Sequence, residues 1–105
     1  MKQNRNAGEA DIFAGLIRIH VLHHACCDDG VFGLGMINEL QRHGYRIGSG
    51  TMYPLLHGME RRGWLKSNEM LIDGRRRKMY YATRSGRKTL KKACMKVREL
   101  SQEIL

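Results

Sequence analysis

The dipeptide Asp73-Gly74 constrains this chain more than any other feature of its sequence. Asp-Gly between two strand-like runs signals a tight hairpin, because both residues accept the positive φ that a two-residue turn demands. It predicts a strand over 65–72, a returning strand over 78–83, and a tip over 73–78 reading Asp73-Gly74-Arg75-Arg76-Arg77-Lys78. What lies on either side has helical periodicity instead.

Asp11 suits the start of a first helix carrying Ile12, Phe13, Leu16, Ile17, Ile19, Val21, Leu22 and Cys26. So wide an apolar face predicts burial on more than one side. Asp28-Asp29-Gly30 ends it as a turn signal. A second helix is expected over 33–43, with Met36, Ile37 and Leu40 on one face and Gly44 just past its end. A third is expected from Ser49, as N-cap, to about Arg62, with Pro54 in its early turns and Gly63 as its stop. Met52, Leu55, Leu56 and Met59 form its apolar stripe. The last helix starts near Ser85, and Leu90, Ala93, Val97, Leu100 and Ile104 are spaced 3, 4, 3, 4, a heptad seam suited to a partner helix.

Helix, helix, helix, hairpin, helix is the layout of a winged helix-turn-helix, mainly α with one small β-hairpin. At 105 residues there is room for one domain. The expected organisation is a flexible N-terminal arm over 1–10, a winged helix-turn-helix over 11–83 and a dimerisation helix over 84–105. A chain of this size buries roughly two-thirds of its unfolded surface, so a second copy would help complete its core.

Charge points to the partner. The net charge is +9, but its distribution says more. From Arg61 to Arg98 there are fourteen basic residues and two acids, leaving +12 there and −3 elsewhere. Crowded like charges repel, and a polyanion would neutralise them. Double-stranded DNA is the expected partner. On the third helix, Ser49, Gly50, Thr51, Tyr53, Pro54, His57 and Arg61 fall at its start or off the core stripe, where they could meet a groove. At the hairpin, Arg75, Arg76, Arg77 and Lys78 would meet the backbone. Arg84, Arg87, Lys88, Lys91 and Lys92 either widen that footprint or keep the last helix solvated.

The run Gly50-Thr51-Met52-Tyr53-Pro54-Leu55-Leu56, followed by Met59-Glu60-Arg61-Arg62-Gly63-Trp64-Leu65, resembles the signature of the PadR family of transcription regulators. Gly74-Arg75-Arg76-Arg77-Lys78-Met79-Tyr80-Tyr81-Ala82-Thr83, then Gly86, is similar to that family's wing and last-helix entry, and Phe32-Gly33 also fits. The likeness spans about residues 12–100. It departs where the family commonly has a proline beside the basic wing residues, a place taken here by Arg76. The resemblance implies a homodimer on a pseudo-palindromic operator, usually a repressor, with the first and last helices as interface. Ile12, Phe13, Leu16, Leu90, Ala93, Val97, Leu100 and Ile104 are the interface candidates. It also implies release of DNA by a small aromatic or drug-like effector, and a short subtype with a single C-terminal helix.

A second chemistry competes. His20, His23, His24, Cys26, Cys27, Asp28 and Asp29 include i, i+4 pairs able to share a helix face, and Cys94 could approach them across a dimer. The alternative reading is a metal- or thiol-redox-responsive DNA-binding sensor; the bland one is core, interface and solvent residues. An interaction module for an acidic protein or a membrane is a further alternative, and the committed apolar seam disfavours the membrane. No phosphate-binding glycine loop, trusted catalytic triad or apolar carboxylate pair is present, so no enzyme, cofactor or resident metal is expected. Lacking a secretory signal and any long apolar run, the chain is expected in the cytoplasm.

Overall fold

The computed structural model describes residues 5–27 and 29–105, with side chains from Asp11 onward apart from Asp28. Six elements follow one another: α1 (Arg5–Cys27), α2 (Gly33–Arg42), α3 (Ser49–Arg61), β1 (Leu65–Ile72), β2 (Arg75–Ala82) and α4 (Arg84–Ile104). The expected class, mainly α with a hairpin, is the observed one.

Three boundaries differ from expectation. α1 begins at Arg5, so Asp11 is inside a helix and not its cap, and the helix takes in residues 5–10 of the expected arm. Ala7, Glu9 and Ala10 are good helix formers that outweigh the single Gly8, and no proline separates them from the apolar stretch. The expected arm's first four residues lie outside the described ones. The N-cap of α3 is Gly48, not Ser49; its extended backbone lets its carbonyl accept from the N–H groups of Thr51 and Met52 at 3.1 and 2.9 Å. The third difference is in the hairpin and bears on the site.

α2 and α3 stop by the same device. Gly44 and Gly63 have φ of +88° and +79°. Beyond α2, Tyr45 N–H donates to the Leu40 carbonyl and Gly44 N–H to that of Gln41; beyond α3, Trp64 N–H and Gly63 N–H do likewise to Met59 and Glu60. A left-handed residue is what lets the chain turn back onto those last carbonyls, and glycine adopts it without strain.

The core gathers α1, α2, α3 and the base of the hairpin. Val21, Leu22, Leu40, Met52, Leu56, Met59, Leu65 and Tyr80 are fully buried there. Leu55, Trp64 and Leu90 pack against it from the edge. Val31, just before α2, pairs with Tyr80 through Val31 N–H to Tyr80 O at 2.9 Å and Tyr80 N–H to Val31 O at 2.7 Å. That bridge fastens the hairpin to the start of α2.

α4 is capped by Thr83, whose hydroxyl oxygen accepts from Gly86 N–H at 3.0 Å and whose O–H donates to the Gly63 carbonyl. Thr83 N–H also donates to the Trp64 carbonyl at 3.0 Å. The end of α3, the base of the hairpin and the start of α4 therefore share one knot of hydrogen bonds. Gly86 is buried in it, with the Trp64 carbonyl against its Cα. Among the described residues no helix is long and apolar enough to cross a membrane.

Candidate nucleic-acid interface

β1 and β2 pair antiparallel from Leu65↔Ala82 to Ile72↔Arg75, leaving Asp73 and Gly74 alone as the turn. Both have positive φ, +52° and +75°. That is a two-residue turn of the type matched to strand twist. Arg75, Arg76, Arg77 and Lys78 are not a cationic tip but the first half of β2. Residues along a strand alternate between faces, so Arg75 and Arg77 share one face and Arg76 and Lys78 the other. Four adjacent cations stay apart in this way, which lowers the repulsion that a turn would concentrate.

Each of the four has its own surroundings. Arg77 is half-buried, its guanidinium 4.9 Å from the centroid of the Phe32 ring. Arg76 is exposed and 3.7 Å from the Glu69 carboxylate, an open pair worth little in water. The Lys78 ammonium lies 5.8 Å from the Tyr80 ring centroid. Arg75 is exposed beside the turn.

On α3, Ser49, Gly50, Thr51, Tyr53, Pro54, His57 and Arg61 are all exposed, while Met52, Leu56 and Met59 are fully buried. The stripe read from the sequence is therefore the one that packs. The Tyr53 ring lies directly against Gly33, where an added Cβ would have no room. Phe32 carries Arg77 and Gly33 carries Tyr53, so the start of α2 positions the hairpin on one side and α3 on the other. The sequence showed Phe32-Gly33 as a family feature but gave no sign of these two contacts, since they join residues far apart in the chain.

Of the interface candidates, Ile12, Phe13, Leu16, Val97, Leu100 and Ile104 are exposed apolar residues, with Ile12 at 74% and Ile104 at 66%. Leu90 and Ala93 are half-buried. α1 and α4 pack together, and Leu16, Ile19, His20, His23, Leu90, Cys94 and Val97 line a groove of about 320 Å³ between them.

The His/Cys segment does not assemble into one site. His20 and His24 face α2, where the His20 ring is 4.8 Å from that of His43 and His24 Nε2 is 3.8 Å from Glu39. Glu39 also holds His43 at 2.9 Å and Arg42 at 3.4 Å. His23 Nδ1 and Cys27 Sγ are 3.8 Å apart on the outer side. Cys26 packs on the core, and burial raises its thiol pKa against the opposing pull of Arg87. Among the described residues no three His, Cys, Asp or Glu side chains gather to hold a metal ion; Asp28 lies outside them.

Burial is the main cause that lowers the pKa of His20, and the neighbouring His43, His24 and His23 add to it against the pull of Glu39. The folded value thus lies below the ordinary 6.5. Below that pH the unfolded chain binds the proton more readily, so stability is full above it and falls as pH drops. Melting temperature is expected to decline from pH 7 to 5.5, and His20→Gln to flatten that decline. An equally steep decline in the variant would show that His20 is not responsible.

Residues 21–92 match the family described as "Transcriptional regulator PadR-like family". "Transcriptional regulator Rv3488" of Mycobacterium tuberculosis is 45% identical over 89 residues, covering 85% of this chain and 82% of that protein. The fold is that of the solved PadR-like transcriptional regulator from Bacillus cereus, with a TM-score of 0.82, 22% identity, and coverage of 90% of this chain and 92% of that one. A Streptococcus transcriptional regulator superposes as well, with a TM-score of 0.81, 23% identity, and coverage of 89% and 92%.

Proposed function

This chain belongs to the PadR-like family of transcriptional regulators, and we propose that it acts as a homodimeric repressor on a pseudo-palindromic DNA operator, released by a small aromatic or drug-like effector. DNA binding itself follows from the family. What supports the placement of α3 and the hairpin on DNA is the Phe32-Gly33 junction, which holds Arg77 of the hairpin and Tyr53 of α3 around one short stretch of backbone. A recognition helix and a cationic wing fixed to one pivot suit a major groove and the backbone beside it.

In this reading Ser49, Gly50, Thr51, Tyr53, Pro54, His57 and Arg61 meet the groove, and Arg75, Arg76, Arg77 and Lys78 meet phosphates. The second subunit packs on α1 and α4. Their exposed apolar side chains and the heptad spacing of α4 favour another copy of the same helix pair. Half-sites then lie about one helical turn or more apart. The groove beside Leu16, Leu90 and Val97 supplies an apolar lining for an effector once a partner covers it.

A salt series tests the wing. Each phosphate contact contributes about 0.9 to the slope of log affinity against log salt. Arg76→Ala is expected to lower that slope by about one and to weaken all duplexes alike. An unchanged slope would remove Arg76 from the backbone contacts. The same gel shifts with Tyr53→Ala should show weaker operator binding in a protein whose circular dichroism is unchanged.

A further inference from the structure

Beside the recognition helix, a cleft of about 300 Å³ opens between α1 and α3, lined by Arg18, Pro54, Leu55, Gly58, Arg61 and Arg62. Among the described residues three guanidiniums and no carboxylate border it. Among the described residues none of the three is in an ion pair. Arg18 is half-buried, and its Nε is buried without a hydrogen-bond partner. A buried charged donor left without an acceptor is costly, and rare in native structures. Arg62 is held by Trp64, its guanidinium 5.4 Å from the ring centroid. Gly58 keeps the space open: a Cβ there would stand 3.6 Å from Arg62 Nη1 and 3.7 Å from Arg61 Nη2.

We propose that this α1/α3 cleft is a binding site for a phosphate-class oxyanion, held by Arg18 together with Arg61 and Arg62. Guanidinium forks match phosphate geometry, and a partly buried fork gains more from the anion than one in open water. An anion here relieves the mutual repulsion of three cations and supplies an acceptor to the unpartnered Arg18 Nε. The oxyanion has two possible sources. One is a DNA backbone phosphate beside α3, which rests on the reading of α3 as the recognition helix. The other is a free phosphorylated small molecule, which does not.

The test uses the full chain and inorganic phosphate, with chloride at matched ionic strength as control. In NMR spectra of the arginine Nε–Hε groups, Arg18 and Arg62 are expected to shift saturably with phosphate. Arg18→Gln removes a charge from the cleft. Gly58→Leu keeps all three charges, fills the space and improves helix propensity, so its effect is not one of unfolding. Both variants are expected to lose the saturable shift. The second arm measures the salt slope for a generic duplex. A slope lower by about one in both variants assigns the cleft to a backbone phosphate. An unchanged slope with the phosphate response lost assigns it to a free phosphorylated ligand. No saturable shift in the parent chain, with slopes unchanged in both variants, overturns the site; salt-dependent duplex binding by the parent chain would leave the DNA reading standing even then.

Discussion

Gly86→Ala is expected to cost this protein about 3 kcal/mol of stability, the range of severe overpacking. An added Cβ would collide with the Trp64 carbonyl oxygen and stand 3.0 Å from the carbonyl carbon. Both belong to backbone, so no side chain can swing aside to relieve the clash. The carbonyl in question also accepts from Thr83 N–H, and Gly86 N–H donates to Thr83 Oγ1. Moving either partner therefore loosens the cap of α4 as well. For a domain of this length the loss corresponds to roughly 10–20 °C in Tm, at fixed protein concentration. Ser85→Ala, at an exposed neighbour, should change little. A Gly86→Ala melting curve within 2 °C of the parent's would mean that α4 can slide away from Trp64 at low cost.

The second large effect is on assembly. Val97→Asp combined with Leu100→Asp places two charges on the exposed seam of α4. Burying unpaired carboxylates between two helices is strongly unfavourable, so on the homodimer proposed above sedimentation should report a dimeric parent chain and a monomeric variant at the same concentration. DNA affinity should fall by about two orders of magnitude or more, because each half-site then binds without the effective concentration that a linked partner provides. The fully buried side chains lie between Val21 and Tyr80. Circular dichroism of the variant should therefore keep its helical signal. A monomer that retained parental affinity would separate DNA binding from dimerisation, and a variant still dimeric would move the interface off this seam.

Much of this architecture was legible because glycine and Asp-Gly dictate local geometry. Gly44, Gly63 and Asp73-Gly74 each demand a backbone that few other residues accept, so three element boundaries followed from chemistry within a few residues. The stripe of Met52, Leu56 and Met59 was readable for a similar reason, since helical spacing alone decides which side packs. Strand alternation was the weaker signal. Three arginines in a row read as a surface turn, yet a two-residue turn pulled Arg75–Lys78 into the ladder. The α1 start was lost because Arg5–Ala10 carries Gly8, a poor helix former, and offers no apolar stripe. Contacts between distant residues, such as Arg77 on Phe32, Tyr53 on Gly33 and Trp64 against Gly86, leave no local mark at all. The proposed oxyanion cleft is of that kind: Arg18 is 43 residues before Arg61, and only the fold brings them to one opening.

The Asp73-Gly74 turn also limits how the ribbon it closes can change over time. Its register is continuous from Ile72↔Arg75 back to Leu65↔Ala82. Adding one residue to a single strand would swap the two sides of everything beyond it, carrying Arg77 off Phe32 and Tyr80 out of the interior. Length variation in this hairpin is therefore tolerable in matched increments, one residue on each strand at the turn end. Relatives with longer or shorter ribbons should differ by even numbers of residues, while their basal halves stay in step.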